Sequence, residues 1–101
     1  MTEADLQRWV LGLARELQLL TFHSADPRRD LGPGFPDLVI AGPRGILLAE
    51  LKAPGYRLSE DQKRWGHMLK ASGQPWRCWY PADWHDGGIE RDLRAIAWPL
   101  V

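Results

Sequence analysis

The sequence predicts a mixed α/β domain, and three observations carry that prediction. Apolar residues recur at helical spacing in segments near both ends and after residue 59. Between them, GFPDLVIAGPRGILLAELK (34–52) reads as two adjoining strands broken by a turn-forming GPRG. The chain has 101 residues, 45% of them hydrophobic and 26% charged. That is enough for one compact core and too little for two, so a single domain is expected over 1–101.

In chain order, the first helix is expected over 3–19. Leu6, Trp9, Val10, Leu13 and Leu17 form its stripe, Thr2 its N-cap, with Asp5 three residues on. A short strand follows at 20–23. SADPRRDLGPGF (24–35) is rich in turn residues and reads as a loop. Strands are expected at 37–41 and 46–52, the second apolar on both faces, as in a central strand covered from two sides. The next helix spans 60–72, with Ser59 as N-cap, Gln62 in the capping-box position and Gly73 at the end. Leu58, Trp65, Met68 and Leu69 are its apolar stripe. WRCWY (76–80) is a further strand, and Ile89, Leu93 and Ile96 mark a last helix over 88–96. The order is α-β-β-β-α-β-α, a central mixed sheet flanked by helices.

Composition excludes several classes. No run of about 18 apolar residues is present, so no membrane-spanning helix is expected. The first residues are acidic and lack a basic-then-apolar leader pattern. One cysteine, Cys78, cannot form an internal disulfide and fits a reducing, cytoplasmic setting as a small buried hydrophobe. The spacing of His23, His67 and His85 matches no zinc pattern, and His23 is expected to be half-buried and structural. Net charge is zero, so any nucleic acid must be gripped by local clusters, for which Arg28 with Arg29, Arg44, Arg57, and Lys63 with Arg64 are candidates. For Arg28 and Arg29 the competing reading is a solvated loop beside Asp26 and Asp30. Of the six tryptophans, Trp9, Trp65, Trp76 and Trp79 stand at core-like positions, and Trp84 and Trp98 are candidates for a subunit contact.

Three charges interrupt the buried stretch: Asp37, Glu50 and Lys52. With Pro43-Arg44 as a two-residue loop, Asp37 opposes Glu50 and Lys52 shares their face. Pro43 followed by Gly45 suits a type I turn with a glycine bulge better than a two-residue loop, and that turn would shift the register by one and put Asp37 on the other face, unless a bulge near Pro36–Asp37 restored it. Composition leaves that register open. If they converge, two carboxylates and an amine suit a hard divalent cation and phosphodiester hydrolysis.

FPDLVIAG followed by LLAELK resembles the P-D-x(n)-E-x-K signature of the PD-(D/E)XK nuclease superfamily. The longer run HSADPRRD…GFPDLVIAG…AELK…LSEDQKRW is similar to its VRR-NUC branch over roughly residues 3–84. The resemblance implies a restriction-endonuclease-like fold and Mg²⁺-dependent cleavage of DNA, with Mn²⁺ as an alternative ion. It implies branched DNA such as Holliday junctions as substrate, and a homodimer. It further implies Asp37, Glu50 and the Leu51 carbonyl as metal ligands, Lys52 as catalytic, and contributions from a helix 1 glutamate and from Gln62. Glu3 lies in line with the apolar stripe of helix 1, and Glu16 is the competing acid. Gln62 has a capping role that competes with a role in the site, since one rotamer is not expected to serve both. The rival readings are a nuclease of flapped, nicked or restriction-type duplex DNA, a non-catalytic DNA-binding module of the same fold, and a protein-interaction domain built on the tryptophans.

Overall fold

The computed structural model describes residues 1–23 and 32–99. Helix α1 spans Glu3–Glu16, opened by a reciprocal capping box between Thr2 and Asp5. It stops short of residue 19 because Gln18 turns into the left-handed region at φ 61°. Strands β1 (Leu20–Phe22), β2 (Leu38–Gly42) and β3 (Gly45–Leu51) follow, then helix α2 (Glu60–Ala71) and strand β4 (Trp76–Trp79). Two helices close the chain, α3 (Pro81–His85) and α4 (Gly88–Ile96). Helix α3 is an addition to the expected order. It is too short for a periodic pattern, and its signals are local: Pro81 in the first turn and Asp83, whose Oδ2 accepts from the Tyr80 N–H at 2.8 Å.

The sheet order is β1-β2-β3-β4. The first two pairings are antiparallel and β3–β4 is parallel. Gly42 pairs with Gly45, so Pro43-Arg44 is a two-residue loop and the bulged alternative does not form. Gly45 has φ 157°, and a Cβ on Gly42 would stand 2.1 Å from the Ile96 carbonyl oxygen. That same carbonyl accepts from the Arg44 N–H at 3.1 Å, which ties the hairpin tip to the end of α4.

This register sorts the sheet into two faces. Leu38, Ile40, Leu47, Ala49, Leu51 and Trp79 share one face with Leu6, Val10 and Ala14 of α1 and Ile89, Leu93 and Ile96 of α4, and these form the hydrophobic core. Val39, Leu48, Glu50, Trp76 and Cys78 lie on the other face, where α2 packs. β3 is therefore the central, doubly covered strand that its apolar pattern predicts.

Helix α2 does not dock through the expected stripe. Trp65 is 37% and Met68 69% exposed, and Gly66 is the buried residue of the helix. A Cβ on Gly66 would come within 2.7 Å of the Trp76 ring, so the absence of a side chain is what lets the helix approach the sheet. Gly66→Ala is expected to cost about 1–3 kcal/mol by overpacking, read as a lower melting temperature. A melting point equal to or above that of the parent protein would show that the Trp76 ring yields freely.

Trp9 is 40% exposed and packs at a tilt of 54° against Trp84, ring centroids 5.6 Å apart, so it is not the core residue its spacing suggests. Trp84 in turn packs against the core, and Trp98 remains exposed. His23 is exposed rather than half-buried, and Cys78 is half-buried.

Candidate active site

The charged residues of the hairpin meet on the α2 face, at the end of the sheet where β3 finishes. Asp37 stands just before β2, opposite Glu50 in the extended register. Its Oδ2 accepts a hydrogen bond from the Leu51 N–H at 2.8 Å. The carboxylate thus replaces a ladder partner that strand pairing would otherwise have supplied, and it is fixed by doing so.

Glu50 is the buried charged residue of the described chain, 2% exposed. Gln62 Nε2 donates to its Oε1 at 2.8 Å, while Oε2 is buried and has no hydrogen-bond partner among the described residues. The Glu50 carboxyl is pushed up from 4.5 to about 9, chiefly by burial, then by the close approach of the Asp37 carboxylate, with Glu3 adding a little and Lys52 opposing. Glu3 is also raised, by partial burial and by Asp37, again against Lys52. Four groups from α1, the β2 approach and β3 therefore share one electrostatic environment: Glu3, Asp37, Glu50 and Lys52. Glu16 sits at the far end of α1, about 20 Å along the helix axis.

Gln62 corrects the expectation that capping and site roles exclude each other. Its Oε1 accepts from the Ser59 N–H at 2.8 Å, and its own N–H donates to Ser59 Oγ at 3.2 Å. The Nε2 end is left free to hold Glu50. A side-chain amide has two distinct ends, so one rotamer caps α2 and orients the acid. If a divalent ion binds at Glu50, Gln62→Leu is expected to weaken that binding by about 10–100-fold, as loss of an outer partner does. Gln62→Glu should place a like charge against Glu50 and weaken it further. Equal metal affinity in all three proteins, measured by calorimetry, would remove Gln62 from the site.

Lys52 continues the strand direction, its N–H donating to the Trp79 carbonyl at 3.0 Å. Cys78 pairs with Glu50 across β3–β4, and its thiol is raised by burial and then by that carboxyl. Nothing in the sequence marks Cys78 as a neighbour of the acid, because the β3–β4 register is set by the α2 crossover. Of the predicted nucleic-acid contacts, Arg57 is exposed and forms no ion pair among the described residues, whereas Lys63 is engaged by Glu60 at 3.2 Å. Arg28 and Arg29 lie outside the described residues.

Among the described residues no three His, Cys, Asp or Glu side chains form a metal-holding group. The local chemistry still suits one kind of ion. A buried carboxylate oxygen without a partner, faced by a second carboxylate, is a site short of positive charge. Mg²⁺ takes one or two protein carboxylates and keeps water or phosphate oxygens for the rest of its shell, so two acids meet its demand.

A mixed sheet whose central hairpin carries this acid, acid and lysine arrangement, with helices on both faces, is a nuclease-type domain. The chain belongs to the VRR-NUC domain family, whose model matches residues 4–80. A solved structure titled VRR_NUC domain protein has the same fold, with a TM-score of 0.68 over 95% of this chain and 88% of that one at 22% identity. No curated protein matches the chain.

Proposed function

We propose that the chain is a divalent-metal-dependent endonuclease that hydrolyses DNA phosphodiester bonds, and that it works at branched DNA as a homodimer. The observation that carries this reading is the buried, unpartnered Glu50 Oε2 beside Asp37. A carboxylate this hard to ionise is a liability to an α/β fold unless a cation compensates it. Asp37, Glu50 and the Leu51 carbonyl, with Glu3 close by, are the groups that would hold Mg²⁺ or Mn²⁺. When bound, such an ion polarises a phosphoryl oxygen and lowers the pKa of water. Gln62 fixes the Glu50 Oε1 and leaves Oε2 for binding, while the Leu51 N–H fixes Asp37. Lys52 Nζ holds the attacking water and meets the negative charge that builds on the phosphoryl oxygens.

Family membership supports a nuclease and hence DNA as substrate. The branched target and the dimer rest on the resemblance and on one surface feature. Leu20, Phe22 and Ile46 are 76%, 52% and 40% exposed, and the strand register puts them on one face of the sheet, running from the β1 edge across to β3. That apolar surface is of the kind a second copy covers, and a two-fold pair of sites would cut paired strands of a junction. The test is incubation of the protein with junction, flap, nicked, duplex and single-stranded DNA in Mg²⁺, Mn²⁺ and EDTA, alongside sedimentation at micromolar concentration. Absence of metal-dependent cleavage on every substrate would overturn the nuclease reading. A strict monomer that cuts both junction strands would overturn the dimer alone.

A further inference from the structure

The segment that leaves β3 after Lys52 turns back at once. The Tyr56 N–H donates to the Ala53 carbonyl at 3.2 Å, with Gly55 at φ 83° making the turn. The Tyr80 hydroxyl, just beyond β4, donates to the Tyr56 carbonyl at 2.7 Å. Tyr80 follows closely on Cys78, the strand neighbour of Glu50, and both Cys78 and Arg57 act electrostatically on its hydroxyl. The backbone of Tyr56 is thus held from two sides, within a few residues of Lys52. Its side chain is 68% exposed, and the next residue, Arg57, is exposed with no carboxylate paired to it among the described residues.

A single exposed aromatic is ordinary on a protein surface. This one differs in being anchored through its main chain beside the candidate active site, next to an unengaged guanidinium. An aromatic face takes a nucleobase and a guanidinium takes the adjoining phosphate, which is the pairing used on unpaired nucleic acid strands. A base stacked within duplex offers no free face. We infer that Tyr56 is a base-stacking contact, held in place by Tyr80 and accompanied by Arg57 as a phosphate contact, that favours DNA with an unpaired nucleotide next to the cut. This rests on the nuclease reading and names the feature of the substrate that the site selects.

The test compares Tyr56→Ala, Tyr56→Trp and Tyr80→Phe with the parent protein. Two DNAs are used, one with unpaired bases at a branch and one a relaxed, covalently closed duplex. Binding is followed in EDTA with 2-aminopurine at the unpaired position, and cleavage in Mg²⁺. Tyr56→Ala keeps the carbonyl that Tyr80 holds but loses the ring. It is expected to weaken binding of the unpaired DNA by about 5–100-fold, to show that loss in KM rather than kcat, and to shrink the preference for unpaired over closed DNA. Tyr56→Trp should restore the preference, and Tyr80→Phe should reduce it by less than Tyr56→Ala. An aminopurine signal and a substrate preference unchanged in Tyr56→Ala, in a protein that still cuts DNA, would overturn the stacking role and leave the nuclease reading intact. A parent protein that cuts neither DNA would overturn both.

Discussion

Glu50→Gln is expected to abolish cleavage and, without metal, to make the domain more stable. The two effects have one cause. In the folded chain the Glu50 carboxyl ionises only near pH 9, because it is buried and faces Asp37, whereas in the unfolded chain it ionises near its ordinary 4.5. Between those values the unfolded state has released a proton that the native state retains. Stability is then fully present below about pH 4.5 and is lost as the pH rises through the folded pKa. At pH 7 the accumulated penalty is on the order of 3 kcal/mol. A glutamine is neutral at every pH, has nearly the same shape, still accepts from Gln62 and can donate to Asp37. It should remove the penalty and raise the metal-free melting temperature by roughly ten degrees or more at pH 7–8. The gain should vanish near pH 4. Cleavage should fall by roughly a thousandfold or more, the equivalent of several kcal/mol of lost charge stabilisation. A variant that cuts within tenfold of the parent, or that melts lower than the parent at pH 8 in EDTA, would sink the assignment of Glu50.

The hairpin shows what a sequence yields and where it stops. Alternation along ILLAEL identifies a doubly covered strand, and the positions of Asp37, Glu50 and Lys52 follow by counting once a loop length is assumed. The loop itself is decided by tertiary contacts, since Gly42 must pass the Ile96 carbonyl and Arg44 must donate to it. Both contacts involve a residue more than fifty positions away, which no local turn rule contains. The same limit explains helix α2. Apolar spacing points to Trp65 and Met68, yet the helix meets the sheet through Gly66 because the facing residue is the large Trp76 ring. Close approach there brings Gln62 to Glu50. A helix riding on Trp65 would stand further off and leave Glu50 without its partner. Residues 24–31, with the Arg28 and Arg29 expectation, lie outside the described residues, so the upstream half of the predicted grip rests on sequence alone.

Addition of Mg²⁺ or Mn²⁺ is expected to flatten the pH-dependent loss of stability of the metal-free domain. An ion that binds the native chain and not the unfolded one stabilises by about 2.7 kcal/mol at a hundredfold excess over its dissociation constant, or on the order of ten degrees of melting for a domain of this size. Binding requires Glu50 in its ionised form, which the native chain resists below about pH 9. Metal must therefore expel a proton, and its apparent affinity should rise by up to about tenfold per pH unit until that value is reached. At fixed millimolar metal, the melting shift is expected to be small near pH 6 and to grow towards pH 9, while the EDTA control falls over the same range. Calorimetry in buffers of different ionisation enthalpy should report close to one proton released per ion bound at pH 7. In Glu50→Gln both the shift and the proton release should be lost, and in Lys52→Ala the shift should survive although the rate does not. A shift of equal size at pH 6 and pH 9, or binding without proton release, would mean that the ion sits elsewhere and that Glu50 Oε2 is buried for reasons of packing.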